Sequence, residues 1–187
     1  MRYEGIELEK RAAYAVADMM VLAAKTAPKG CGLDNVVSLV LDGKEKDALS
    51  EEMRKIANET GADFFERDAG NVDDSYLVVM IGVKDVPNGL HNCSFCGFKD
   101  CAAMKKAGGK CTFNISDLGI AVGSAVSVAA DHRIDNRILF TAGKAALRLK
   151  FFADEIKTCY GIPLSSSSKS VFFDRGIIPV LAKQNEK

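Results

Sequence analysis

The sequence has no excess of either charge. Its 25 basic and 25 acidic side chains cancel over 187 residues. That balance removes the basic footprint of a nucleic-acid binder. No basic amphipathic stretch marks a membrane surface, and no uninterrupted apolar run reaches the roughly 18 residues that span one. No secretory leader is expected either. Charges recur through the opening MRYEGIELEKR, and no short apolar stretch there ends in a small-residue cleavage site. A cytoplasmic protein follows as the expectation, with no nucleic-acid or membrane partner. There is no internal repeat, and no low-complexity segment beyond Ser165–Ser168. No catalytic triad, acid–base pair or nucleotide fingerprint stands out.

What is present is an ordinary globular composition with an unusual clustering of cysteine. Nearly half of the residues are apolar, and the length suits a single domain over 1–187. Ala12, Ala13, Val16, Met19, Met20 and Ala23 recur at helical spacing, which predicts a helix from Glu7 to Ala27 stopped by Pro28 and Gly30. Val36–Leu41 reads as a buried strand. A second helix is predicted from about Lys44 to Thr60, ended by Gly61. Tyr76–Val83 reads as a central strand, parallel to the first if the intervening helix is a crossover. Asp117–Ala130 is small or apolar nearly all round and belongs inside a core. Asp135 is expected to cap a helix running to about Phe151. Ile156–Cys159 and Ile177–Leu181 are further strand candidates. This order predicts an α+β fold of mixed layers, with residues 88–115 inserted into it.

Six cysteines in a reducing compartment argue against structural disulfides. Four of them, Cys93, Cys96, Cys101 and Cys111, fall in LHNCSFCGFKDCAAMKKAGGKC. Thiolates are soft ligands, and a set of four serves either an iron–sulfur cluster or zinc. Cys-x2-Cys lets one tight turn present two sulfurs, and Gly97 permits a left-handed backbone there. A short helix is expected from Asp100 to Ala107, its N-terminus facing an anionic cluster. Phe95, Phe98, Met104 and Phe113 are the expected wall against water. Lys99, Lys105, Lys106 and Lys110 form a cationic rim able to offset cluster charge and to receive an acidic redox partner protein. Zinc is the main rival, since Cys-x2-Cys-Gly is knuckle-like. A catalytic dithiol at Cys93 and Cys96 would leave the other two thiols unexplained.

The segment CSFCGFKDCAAM…C resembles the bihelical 4Fe-4S domain found in electron-transport complexes and in corrinoid iron–sulfur proteins. Cys111 comes sooner than the fourth cysteine of those proteins. Nearly the whole chain resembles a family of small bacterial and archaeal proteins described only as containing a ferredoxin domain. TAPKGCGLDNV, the cysteine segment, DLGIAVGSAVSVAADHRIDNRI and GIPLSSSSKSVFFDR carry that likeness. It implies a 4Fe-4S cluster on Cys93, Cys96, Cys101 and Cys111. A fainter resemblance is to nitroreductases, carried by Ala27-Pro28-Lys29, Val36–Leu41 and Asp117–Ala130. It implies a nitroreductase-like core, a homodimer, and flavin mononucleotide (FMN) at the interface.

Other residues have plainer readings. Cys31 is a small loop residue and Cys159 a core thiol. His91 is expected beside the cluster, not on it. Asp131-His132-Arg133 and Asp135-Asn136-Arg137 read as a cap with ion pairs joining two helix ends. Gly119-x3-Gly123 permits close helix packing. Ser165–Ser170 with Lys169, and Arg175, are weak anion-site candidates. The function expected is electron transfer through an iron–sulfur cluster. The alternatives are an FMN-dependent oxidoreductase fed by the cluster and a zinc-binding interaction module.

Overall fold

The structure, a computed structural model, describes residues 1–173. The expected strand Ile177–Leu181, Asp174 and Arg175 lie outside the described residues.

Helix α1 (Gly5–Thr26) opens on a capping box in which Glu4 and Glu7 exchange hydrogen bonds. It ends just before Ala27-Pro28, where proline disfavours a helical conformation at the preceding residue. Its buried face is Ala13, Val16, Ala17, Met20 and Ala24; of the expected stripe, Ala12 and Met19 are exposed and Ala23 is half-buried. Strand β1 (Val36–Leu41) and helix α2 (Gly43–Thr60, ended by left-handed Gly61) lie where the pattern placed them.

Helix α3 (Asp63–Asp73) was not foreseen, and it changes the topology. Strand β2 (Leu77–Lys84) pairs with β1 antiparallel, in the register Val36–Val83 to Leu41–Val78. The expected parallel pairing is therefore wrong. One crossover helix returns the chain to the end where β1 began, which sets up a parallel strand. Here α2, about 27 Å long, is followed by α3, about 16 Å long. The second helix carries the chain back across the sheet, so β2 runs in the opposite direction.

Strand β4 (Ile156–Ser165) pairs antiparallel with the other edge of β2, and β3 (Asp135–Asn136) pairs with β4. The sheet order is β1-β2-β4-β3. The expected helix from Asp135 to Phe151 is thus divided. Asp135 and Asn136 join the sheet, and α6 spans only Phe140–Arg148. Pairing with the far end of β4 outcompetes the local capping signal.

β2 is buried on both faces, which explains its unbroken apolar run. Leu77, Val79, Ile81 and Val83 pack with α1 and with helix α5 (Thr112–Asp131). Val78 and Met80 pack with α2, α3 and α6. The result is an α+β fold of three layers. α5 starts five residues earlier than expected, with Cys111 at its N-cap. Among the described residues it alone is long and apolar enough to cross a membrane. Its Leu118, Ala121, Val122, Ala125 and Ala129 are spent on the core between α1 and the sheet.

α6 lies directly on β4, and glycine is what permits it. A Cβ on Gly143 would stand 1.9 Å from the Cys159 carbonyl oxygen. Cys159 is buried there and donates its thiol hydrogen to the Gly143 carbonyl (3.2 Å). Burial pushes its pKa up to about 12, against an ordinary 9.0. Below pH 9 the thiol is neutral in folded and unfolded chains alike. Between about 9 and 12 only the unfolded chain ionises, so stability falls as pH rises through that window. A thiol-specific reagent applied at about pH 8 should leave Cys159 unlabelled until denaturant is added. Mass spectrometry of the labelled peptides checks this, and rapid labelling of the folded protein would contradict the burial.

Candidate functional site

The cysteine segment leaves the end of β2 and returns to the start of α5. Its turns are built from left-handed residues: Asn92 (φ 55°), Ser94 (φ 45°) and Gly97 (φ 83°). The Gly97 N–H donates to the Ser94 carbonyl (2.9 Å), closing the turn that carries Cys93 and Cys96. The Ser94 hydroxyl donates to the Lys99 carbonyl (3.2 Å).

The expected short helix is α4 (Cys101–Lys106), and the third cysteine is its first residue. Asp100 caps it, accepting from the Ala103 N–H at 2.7 Å. After α4, Gly108 turns left-handed and the Gly109 N–H donates to the Met104 carbonyl (3.0 Å). This doubles the chain back and sets Cys111 at the N-cap of α5.

The consequence is that Cys93, Cys96, Cys101 and Cys111 all line one cavity of about 410 Å³. All four are free thiols, and all are half-buried. Phe95, Phe98, Met104 and Phe113 line the same cavity; Met104 is buried, Phe98 and Phe113 are half-buried, and Phe95 is 64% exposed, so it does not shield the space as expected. The rings of Phe95 and Phe113 meet at a tilt of 50°, with centroids 5.7 Å apart. His91 and Lys99 also line it. Lys105 and Lys106 are exposed beyond the rim, and Lys110 pairs with Asp85 at 2.5 Å. Among the described residues, no three His, Cys, Asp or Glu side chains stand close enough to hold a single metal ion.

The other sequence candidates lie elsewhere. Cys31 is exposed at φ 57°, in a 3-10 turn over Gly30–Gly32. His132 caps the C-terminus of α5. Arg137 donates to the Phe172 carbonyl (3.1 Å) and sits over the Phe173 ring. None of these lines the cysteine cavity. Ser165 closes β4, and Ser167 bonds to the Lys169 carbonyl.

Two residues that hold the site were not singled out from the sequence. Asn114, 3% exposed, donates from its amide to the carbonyls of Lys84 (3.0 Å) and Val86. Its own oxygen accepts from Asn35 Nδ2 (3.3 Å). It thereby fastens α5 to the exit of β2, where the cysteine segment begins. Asp117 Oδ1 accepts the Gly30 N–H (2.9 Å), tying the loop after α1 to α5. Both are polar residues on the buried side of an apolar helix. That pattern is itself a signal, because a buried polar group needs a partner. Asn114→Ala strips buried carbonyls of their donor and should cost about 1–3 kcal/mol. A lowered midpoint in urea denaturation is the expected readout.

Comparison with known proteins agrees with this architecture. Residues 107–175 match the sequence profile of a family described as "uncharacterized protein containing a ferredoxin domain" (DUF2148). An uncharacterized protein of Archaeoglobus fulgidus is 38% identical over 165 residues, covering 84% of this chain and 88% of that one. Among solved structures, an FMN-bound nitroreductase of Desulfitobacterium hafniense matches with a TM-score of 0.58 at 13% identity, over 83% of this chain and 78% of its own. Nitroreductase A of Vibrio parahaemolyticus matches at 0.53 with 10% identity, over 83% and 59%. The NADPH:FMN oxidoreductase of Vibrio harveyi, complexed with NAD+, matches at 0.52 with 11% identity, over 83% and 60%. The chain thus spans about six-tenths of the two Vibrio proteins, and at these identities the likeness is one of fold. The body of the protein has the nitroreductase fold, and by its identity to the archaeal relative and its match to the profile the chain belongs to the family of proteins containing a ferredoxin domain.

Proposed function

We propose that Cys93, Cys96, Cys101 and Cys111 hold a 4Fe-4S cluster, and that the protein is a cytoplasmic electron carrier. The observation that carries this reading is the shared cavity: four free thiols from three separate turns line one space of about 410 Å³. The donor set fits the group. All four ligands are soft, and aromatic and thioether side chains flank them. The same donor set also suits zinc, which metal analysis separates from iron.

A bound cluster supplies reversible one-electron transfer. The chain does the rest. The thiols give up their protons on ligation. Phe98 and the buried Met104 keep water from the inner wall. Lys99 brings positive charge to the rim, which stabilises a more reduced centre. Residues 88–115 act as an inserted redox segment on a single domain. With Lys105 and Lys106 beyond them, the exposed cations receive a partner protein with an acidic face.

FMN is the second reading. What supports it is the fold shared with a nitroreductase in which FMN is bound. One preparation tests both. Protein purified without oxygen should contain iron and acid-labile sulfide in about equal amounts, roughly four of each per chain. Its visible spectrum should be one broad shoulder. Two resolved flavin bands would establish the second reading, and a colourless zinc protein would end the first.

A further inference from the structure

The cysteine segment is anchored differently at its two ends. Asp85 lies just past β2, at the entrance, and its backbone is fixed to the body. Its N–H donates to the Glu155 carbonyl (2.8 Å). The carbonyls on either side of it, those of Lys84 and Val86, both accept from the Asn114 amide. At the exit, Lys110 immediately precedes Cys111 and follows Gly108 and Gly109. Gly108 stands at φ 69°, and glycine leaves the backbone more conformations than any other residue. Local preference alone therefore does little to fix where this arm points. The Lys110 ammonium meets the Asp85 carboxylate at 2.5 Å. We propose that this ion pair is a clasp that closes the cysteine segment at its base and positions Cys111, so that breaking it loosens the fourth thiol and speeds the loss of bound iron.

The pair bridges 25 positions. Cys93, Cys96 and Cys101 lie between its members, and Cys111 is the next residue. A contact joining the two ends of so long a loop constrains everything between them. Asp85, Lys110, Cys111 and Asn114 border one crevice of about 10 Å³, the lower limit for a single water. The fourth thiol thus adjoins the corner that Asn114 fastens. Both side chains of the pair are more than a third exposed, Lys110 at 41% and Asp85 at 36%. A pair this open adds little to overall stability. Its effect is local, selecting one position of the 107–111 arm among those the glycines allow. The neighbouring pair Lys84–Glu155 (2.9 Å) is similarly exposed but joins β2 to the turn before β4, both in the body. It is the control.

Loss of iron through this clasp presupposes the cluster proposed above, whereas the position of the arm does not depend on it. Two measurements keep them apart.

Iron release from the anaerobically purified full-length protein to excess ferrous chelator is followed at low and high salt. Asp85→Asn and Lys110→Gln should each release iron about three- to fivefold faster than the parent, the scale of a half-exposed pair. Raising salt from about 0.05 M to about 0.5 M should speed release from the parent more than from Asp85→Asn, because only the parent has a pair to screen. Exchanging the charges, Asp85→Lys with Lys110→Asp, should restore slow release, which a purely steric role would not. Lys84→Gln should match the parent. In metal-free protein, amide hydrogen exchange over residues 107–111 should quicken by a similar factor in both single variants, while exchange in β2 stays unchanged. Parent-like release or parent-like exchange in the single variants, equal acceleration in Lys84→Gln, an identical salt response in parent and Asp85→Asn, or a charge exchange as fast as the single variants overturns the clasp. A parent without iron ends the cluster reading instead, and hydrogen exchange then decides the clasp by itself.

Discussion

Gly143→Ala should leave little or no folded protein. Its methyl group would stand 1.9 Å from the Cys159 carbonyl oxygen and 2.7 Å from the carbonyl carbon. These are backbone atoms of β4, which is hydrogen-bonded to β2 on one side and to β3 on the other. No side chain can rotate away to make room. Either α6 lifts off the sheet or β4 bends. Both break contacts of Ala142, Ala145 and Ala146 with the core around Met80 and Val78. Overpacking alone costs about 1–3 kcal/mol. A clash against a fixed backbone should exceed about 4 kcal/mol, a large part of the usual roughly 5–15 kcal/mol of domain stability. Gly70→Ala in α3 is the control, because its added methyl meets nothing within 4 Å. Helix propensity predicts that it stabilises by up to about 1 kcal/mol. Thermal melts followed by circular dichroism compare the two. A Gly143→Ala protein melting within a few degrees of the parent would mean that α6 does not pack on β4 as described.

Serine in place of any one of Cys93, Cys96, Cys101 or Cys111 should remove most of the iron and sulfide. Serine matches cysteine closely in shape, so the turns can persist while a soft donor is replaced by a hard one. The four are not equivalent in position. Cys93 and Cys96 share the turn closed by Gly97, Cys101 opens α4, and Cys111 opens α5. Loss at all four would show that three structural units converge on one group. Cys31→Ser and Cys159→Ser should keep full iron, since one thiol is exposed in a separate turn and the other is buried at Gly143. Cys111→Ser is the most informative variant. Full iron and sulfide in it would move the fourth ligand elsewhere, and His91 lines the same cavity. Iron retained in all four variants would end the cluster reading.

The elements read most readily from the sequence are those whose signals are local. α1, β1 and α2 have clear periodicity and recognisable stops at Pro28 and Gly61. The cysteine spacing set four thiols apart from the other two, and Gly97 marked the turn. α3 was missed because Gly70 and Asn71 interrupt a pattern of only eleven residues. Missing it reversed the direction assigned to β2. The Asp135 segment misled for another reason. An Asp before an apolar stretch is a capping signal, yet the same two residues can pair with a strand edge, and only distant Leu164 and Ser165 decide between these. Asn114 and Asp117 went unread because their partners lie far off in sequence, at Lys84, Val86 and Gly30.

The sequence by itself determined which segments seek a core, where most helices stop, and which four thiols stand apart from the other two. These follow from side-chain chemistry and short-range backbone preference, which act within a few residues. Tertiary structure alone decided that β2 runs against β1, that α6 must carry glycine at 143, and that the four thiols border one space. Those depend on contacts between residues tens of positions apart, where packing overrules local preference.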